Sequence, residues 1–337
     1  MLVGGAMIGQ DRVEVERKII SILRVLRDSP ELVGARVIAR RLKGHGVELG
    51  ERAVRYHLKI MDERGLTQLV GRDGRVLTPL GEEELQNALV GDKVGFVISK
   101  IESLAFRTTF DSRSRTGLVP MNISFFLRSD FKKALPAMKE AFEAGLCVSP
   151  LVAVARGGER LGDVLVPQGQ VGFASVCSIV VNGCLLKMGI PMDSRFGGLL
   201  QIRDRKPYRF VELVEYSGSS LDPSEIFITS RMTSVLEVAR KGEGKLLANF
   251  REVPAVCRPL AEEVVVGLRK AGLGGLLVTG EVSEPCCQIP VSLNKVGVVL
   301  LGGLNPVAAA VESGIEVHSF AMSGVIDYQD LVNFREL

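Results

Sequence analysis

Apolar residues in the first quarter of the chain recur with a helical period. Val15, Ile19, Ile22, Leu23 and Leu26 form one stripe, which Pro30 ends. In "GARVIARRLKGHG", Ala35, Ile38, Ala39 and Leu42 share a face before Gly44 and Gly46. The stretch "GERAVRYHLKIMDERGL" places Val54, Leu58 and Met61 at i, i+4 and i+7, which is a third buried stripe. Arg52, Arg55, Tyr56 and Lys59 follow the same spacing offset by two residues, about 200° around the helix. One face is core and the opposite face is cationic with an aromatic ring. The pattern then changes: "LTQLVGRDGRVLT" is two β-prone runs around Asp73-Gly74, residues that suit a hairpin turn. Thr78 as N-cap and Pro79 at the first position start a further helix.

Three helices followed by a hairpin is the order of a winged helix-turn-helix. In that fold the third helix enters the DNA major groove and the wing touches the neighbouring backbone. Arg52, Arg55, Tyr56 and Lys59 are therefore the candidate recognition set, with Arg72 and Arg75 flanking the wing tip. Charge supports double-stranded DNA as partner: residues 1–78 hold 15 Lys+Arg against 10 Asp+Glu, whereas residues 79–337 hold 27 against 29. A winged helix that binds RNA or protein has the same layout. One winged helix reads few base pairs, so a homodimer on a palindromic operator is expected, held mainly by the rest of the chain.

Beyond residue 90, β-prone runs alternate with helical ones and glycines increase, which is an α/β pattern. This region matches itself. Val171-Gly172 and Gly189-Ile190 are repeated by Val296-Gly297 and Gly314-Ile315 at an offset of 125, and Asn122 and Gly145 answer Asn249 and Gly272 at nearly that offset. Two copies of one unit follow, about 115–202 and about 242–327, unless small apolar residues recur by coincidence. The expected architecture is an N-terminal winged helix-turn-helix domain (1–89) preceding an α/β regulatory domain with an internal duplication (90–337). The repeat also decides a local ambiguity: Asn182-Gly183 alone reads as a hairpin turn, but its counterparts Val307 and Ala308 follow an Asn305-Pro306 helix start. A helix is thus predicted around 180–188.

Each copy then presents a strand, a short loop (Cys177-Ser178 or Gly302-Gly303) and a helix N-terminus, an arrangement whose unpaired N–H groups suit an anion. Close packing at these glycines is the alternative use. "LLGGLNP" is neither GxGxxG nor a P-loop. Cys177 has no basic partner nearby in sequence, so it reads as a pocket wall rather than a nucleophile. Six cysteines without a CxxC pair and three histidines give no metal site or cofactor signature, and reduced thiols are expected. The N-terminus lacks the basic flank and apolar length of a signal peptide, so a cytoplasmic protein is expected.

The phrases "GARVIARRLKGHGVELGERAVRYHLKIMDERGLTQLVGRDGRVLTPLG", "VCSIVVNGCLLKMGIP", "MTSVLEVARKGEGKLLANFREVP" and "LLGGLNPVAAAVESGIEV" resemble the NrpR nitrogen regulators over residues 12–334. The resemblance implies a repressor of nitrogen-assimilation genes released from DNA by 2-oxoglutarate. Combined with the repeat, it places that effector where the two copies meet. Candidate contacts are Cys177, Ser178, Asn182, Gly302, Gly303 and Asn305, with Arg107, Arg195 or Lys187 as the cation. An α/β enzyme acting on a small keto acid, fused to a nucleic-acid-binding domain, is the alternative reading.

Overall fold

The computed structural model describes residues 4–27, 29, 32–44, 47–71, 74–86, 88 and 94–337, with the side chains of 4–14, 44 and 86 outside the description. The chain divides into two compact units, Met1–Lys93 and Val94–Leu337.

In the first unit, α1 (Gly4–Arg27), α2 (Ala35–Gly44) and α3 (Glu51–Glu63) precede the hairpin β1 (Thr67–Val70) and β2 (Gly74–Leu77), then α4 (Pro79–Gln86). Ile19, Ile22, Leu23, Ile38, Leu42, Val54, Leu58 and Met61 form one core, so the three sequence stripes face each other. The Gly81 N–H donates to Thr78 Oγ1 at 3.0 Å, the cap expected of Thr78. The hairpin differs in detail. Val70 pairs with Gly74, so Gly74 belongs to the ladder rather than to the turn; Asp73 and Arg72 lie outside the described residues.

The second unit opens with α5 (Phe96–Arg107). Then β3 (Leu118–Leu127), α6 (Phe131–Glu143), β4 (Leu151–Arg156), the short hairpin β5 (Arg160–Leu161) and β6 (Val164–Leu165), β7 (Gln170–Val176), α7 (Ile179–Lys187) and β8 (Asp193–Arg203) follow. The connecting segment is β9 (Lys206–Glu215), α8 (Pro223–Thr229) and α9 (Val235–Lys241). After it come β10 (Gly244–Pro254), α10 (Arg258–Lys270), β11 (Leu276–Val282), β12 (Lys295–Leu301), α11 (Asn305–Glu312), β13 (Val317–Asp327) and the short β14 (Val332–Asn333). Apart from the β5–β6 insertion, the order β-α-β-β-α-β occurs twice.

Register repeats as well as order. Asn122 on β3 pairs with Ser175 on β7, and Asn249 on β10 pairs with Leu300 on β12, at the offsets seen in the sequence. The copies are interlocked by their last strands: β8 of the first pairs with β10 of the second, and β13 of the second pairs with β3 of the first. The resulting sheets run β13-β3-β7-β4-β14 and β11-β12-β10-β8-β9, and every pairing is antiparallel. Because each sheet borrows a strand, the β7–α7 and β12–α11 loops meet: Ser175 Oγ donates to Gly303 O at 3.0 Å.

The helix predicted from the repeat is present as α7, wholly buried from Ile179 to Leu185. Gly189 and Gly314 follow α7 and α11 with φ of 74° and 86°, a left-handed backbone that an L side chain adopts only at a cost.

Candidate effector cleft and nucleic-acid interface

On α3 the side chains of Arg52, Arg55, Tyr56 and Lys59 are exposed while Val54, His57, Leu58 and Met61 are buried. Arg55 pairs with Glu51 at 2.5 Å and Lys59 with Glu63 at 3.8 Å, both along the helix surface. Such exposed i,i+4 pairs are worth about 0.3–0.5 kcal/mol, weak enough for a phosphate to displace. Arg75 is different from the wing-tip cation expected of it. Its Nη2 lies 2.8 Å from Asp62 Oδ2 and its Nε donates to the same carboxylate, which Thr67 Oγ1 also approaches at 2.6 Å. The guanidinium thus ties β2 to the end of α3. His57 is held below the usual imidazole range, first by burial and then by Lys18, so it serves the core as a neutral ring.

In the second unit the two loops and the connecting segment enclose a narrow cleft of about 20 Å³, far below the roughly 300–1,000 Å³ usual for ligand sites, so a ligand the size of a dicarboxylate enters only as the loops part. Cys177, Ser178, Gly302 and Gly303 line it, as the repeat implies. So do Asn122 and Asn249, the paired repeat positions, together with Tyr216, Asp222 and Arg251. The Cys177 N–H donates to Pro120 O and the Gly302 N–H to Leu247 O, each at 2.8 Å. Among the described residues, the N–H groups of Ser178 and Gly303 have no such loop partner.

Asn182 and Asn305 do not line the cleft. Asn182 sits within α7 and donates through Nδ2 to Ser194 Oγ at 3.1 Å. Asn305 is the first residue of α11 rather than its cap, which is Leu304. Its amide instead accepts from the Leu247 N–H at 2.9 Å and donates to the Leu247 carbonyl at 3.0 Å, bracing the helix on β10. The three expected cations also lie elsewhere. Arg107 reaches Asp163 at 3.5 Å, Lys187 lies over the Phe106 ring, and Arg195 pairs with Glu252 at 3.2 Å.

The cation of the cleft is Arg251, on β10 and 1 % exposed. Its Nη2 donates to Ser178 Oγ at 3.1 Å, its Nη1 has the Met192 sulfur at 4.0 Å, and its Nε is buried without a partner. No carboxylate pairs with it among the described residues. Burial lowers its pKa, and Tyr216 and Cys177 offset that only in part. Asn249 Nδ2 donates to the same Ser178 Oγ at 3.2 Å, and the Tyr216 hydroxyl donates to Asn249 Oδ1. Cys177 is pushed up to about 11 by burial, which leaves a thiol wall and no thiolate nucleophile at neutral pH. Asp222 caps α8 by accepting from the Ser224 N–H at 2.8 Å, and burial raises its pKa.

Among the described residues no group of three or more His, Cys, Asp or Glu side chains could hold a metal, and no helix is long and apolar enough to cross a membrane.

A charged winged helix followed by a duplicated α/β unit with a polar internal cleft defines a transcription regulator. The chain belongs to the NrpR family of nitrogen regulators. Residues 94–333 match the family of NrpR regulatory domains NRD1 and 2, and residues 20–85 match the ribonuclease R winged-helix domain. The global nitrogen regulator NrpRI of Methanosarcina mazei is 44% identical over 318 residues, covering 94% of this chain and 98% of that protein. The global nitrogen regulators NrpR of Methanocaldococcus jannaschii and Methanococcus maripaludis are each 34% identical, and the chain spans 56% and 51% of their respective lengths. In structure, the chain is similar to a nitrogen repressor-like protein from Methanococcus jannaschii, with a TM-score of 0.60 and 29% identity, covering 71% of this chain and 98% of that one. The protein is a nitrogen-responsive transcriptional regulator that binds DNA through its winged helix, and its relatives are named as regulators rather than as enzymes.

Proposed function

We propose that the protein represses its target genes by binding a palindromic operator as a dimer, and that 2-oxoglutarate entering the cleft between the two copies releases it. The observation that carries the effector assignment is Arg251, a buried guanidinium with a free Nε and no carboxylate. A guanidinium in that state favours a ligand carboxylate, which it can hold through two N–H groups. The Ser178 and Gly303 N–H groups, at two helix N-termini that converge on the same space, serve a second anionic group. On α3, Arg52, Arg55, Tyr56 and Lys59 supply the DNA contacts.

Release requires the effector to bind the arrangement that does not hold the operator more tightly than the one that does; equal affinity would shift nothing. Fluorescence anisotropy of a labelled operator, titrated with 2-oxoglutarate and with citrate and glutamate as controls, tests this reading. Dissociation of the operator by 2-oxoglutarate, at concentrations where the controls have no effect, is expected. Retention of the operator at saturating 2-oxoglutarate rejects the effector.

A further inference from the structure

Asp222 and Arg251 line the same cleft, yet no hydrogen bond or ion pair joins them among the described residues. One oxygen of Asp222 is committed to the Ser224 N–H at the start of α8. Five other polar or charged groups stand around this carboxyl. Lys100 comes from α5, Cys177 from the β7–α7 loop, Tyr216 from the end of β9, Glu225 from α8 and Arg251 from β10. Lys100 and Glu225 are occupied with one residue of β13: Lys100 Nζ donates to Ala321 O at 3.1 Å, and the Ala321 N–H donates to Glu225 Oε1 at 2.6 Å.

A ligand with two carboxylates can give one to Arg251. In so small a cleft the remainder meets Asp222, and an ionised aspartate offers only acceptors. Acceptor against acceptor in a poorly hydrated space is strongly unfavourable, whereas a protonated Asp222 presents an O–H donor to the same ligand oxygen. On the effector reading above, we propose that Asp222 receives 2-oxoglutarate in its neutral form, so that the effector enters the cleft together with one proton and the repressor reads dicarboxylate and acidity jointly.

Burial favours that state and raises the Asp222 pKa, although hydrogen bonds from Ser224 and Glu225 and the charge of Lys100 oppose it, and the bound dianion raises it further. The sign follows. Where free Asp222 is ionised, binding must supply the proton, and affinity falls as pH rises, by up to about tenfold per pH unit. Where free Asp222 is already neutral, affinity is flat. Cys177 and Tyr216 are both raised by burial and stay protonated throughout, so neither supplies this dependence. Glu225 is also raised by burial, and its replacement serves as a control.

The test is calorimetry of the full chain with 2-oxoglutarate from about pH 6.5 to 8.5, above the carboxylate range of the free ligand, in pairs of buffers with different ionisation heats. The expected result is uptake approaching one proton at the alkaline end and an affinity that declines with pH. Asp222→Asn keeps an oxygen for the cap of α8 but cannot titrate, and is expected to show neither. Glu225→Gln is expected to retain both. Binding without proton uptake by the parent protein overturns the proposal and leaves the effector assignment standing. Uptake that persists in Asp222→Asn also overturns it. Absence of 2-oxoglutarate binding at every pH rejects the effector assignment itself, and this proposal with it. If Asp222→Asn fails to fold, as read by circular dichroism, the proton count of the parent protein and of Glu225→Gln decides.

Discussion

In the first copy β3 carries Asn122 and, two residues on, Ser124; in the second, β10 carries Asn249 and, two residues on, Arg251. Their cross-strand partners correspond too, Ser319 opposite Ser124 and Ser194 opposite Arg251. Ser124 meets the Ser319 hydroxyl at 3.0 Å, an ordinary neutral contact, whereas Arg251 reaches Ser178 across the junction between the copies. A second difference is Ser178 in one loop against Gly303 in the other, where an added Cβ would come 2.4 Å from Val176 O. Duplication thus supplies the frame and two converging loops, and one residue on one side supplies the charge. On the proposed reading, a cleft built this way holds one end of the effector more firmly than the other.

The largest expected effect separates those two matched positions. Arg251→Met removes the charge at similar length and is expected to weaken 2-oxoglutarate binding by about 30- to 5,000-fold, the range for deleting one partner of a buried charged contact. Ser124→Ala is expected to change it by less than about threefold, since Ser124 makes a neutral hydrogen bond with Ser319 and does not line the cleft. Calorimetry of both variants checks this, and equal effects break the comparison.

Next is the loop asymmetry. Gly303→Ala forces a methyl against Val176 O and the Asn122 amide, and is expected to destabilise the second unit by about 1–3 kcal/mol, seen as a lower Tm. An unchanged melting curve contradicts the close approach of the loops. A comparable loss, about 1–3 kcal/mol, is expected for Asn305→Ala, which leaves the buried Leu247 N–H without its partner and the Leu247 carbonyl with the Gly302 N–H alone. This variant is expected to retain effector affinity in its folded fraction, since Asn305 braces a helix and does not touch the cleft. Loss of binding at full stability contradicts that.

The smallest effect lies in the winged helix. Lys59→Ala is expected to weaken binding to all operator sequences alike and to reduce the salt slope by about one unit, with effector affinity unchanged. A change in sequence preference instead makes Lys59 a base reader.

The winged helix is legible because its signals are local: three apolar stripes of helical period, and a Thr-Pro helix start. The duplication is legible because it preserves spacing, and it alone shows that residues 179–187 form a helix where Asn182-Gly183 suggests a turn. What the local patterns miss is what the sheets bring together. Arg251 lies in a strand whose residues 246–253 are buried throughout, and in "KLLANFREV" its neighbour Asn249 serves only to mark the repeat. Aligning the copies and asking where a charge replaces a neutral residue would have singled it out against Ser124. Tyr216 and Asp222 carry no such signal, since they lie in the segment between the copies and reach the cleft only through the tertiary fold. Asn305 misleads for a different reason. The Asn-Pro rule locates the helix start within one residue, but the side chain finds the β10 backbone and not its own helix.

A crystal structure of the protein grown with 2-oxoglutarate decides whether Arg251 holds the effector. Ligand density is expected between the β7–α7 and β12–α11 loops, with one carboxylate on the Arg251 guanidinium and the ligand within hydrogen-bond reach of the Ser178 and Gly303 N–H groups. Density elsewhere, for example in the open groove beside Phe142, Pro150 and Phe334, with Arg251 still lacking a carboxylate, would contradict it.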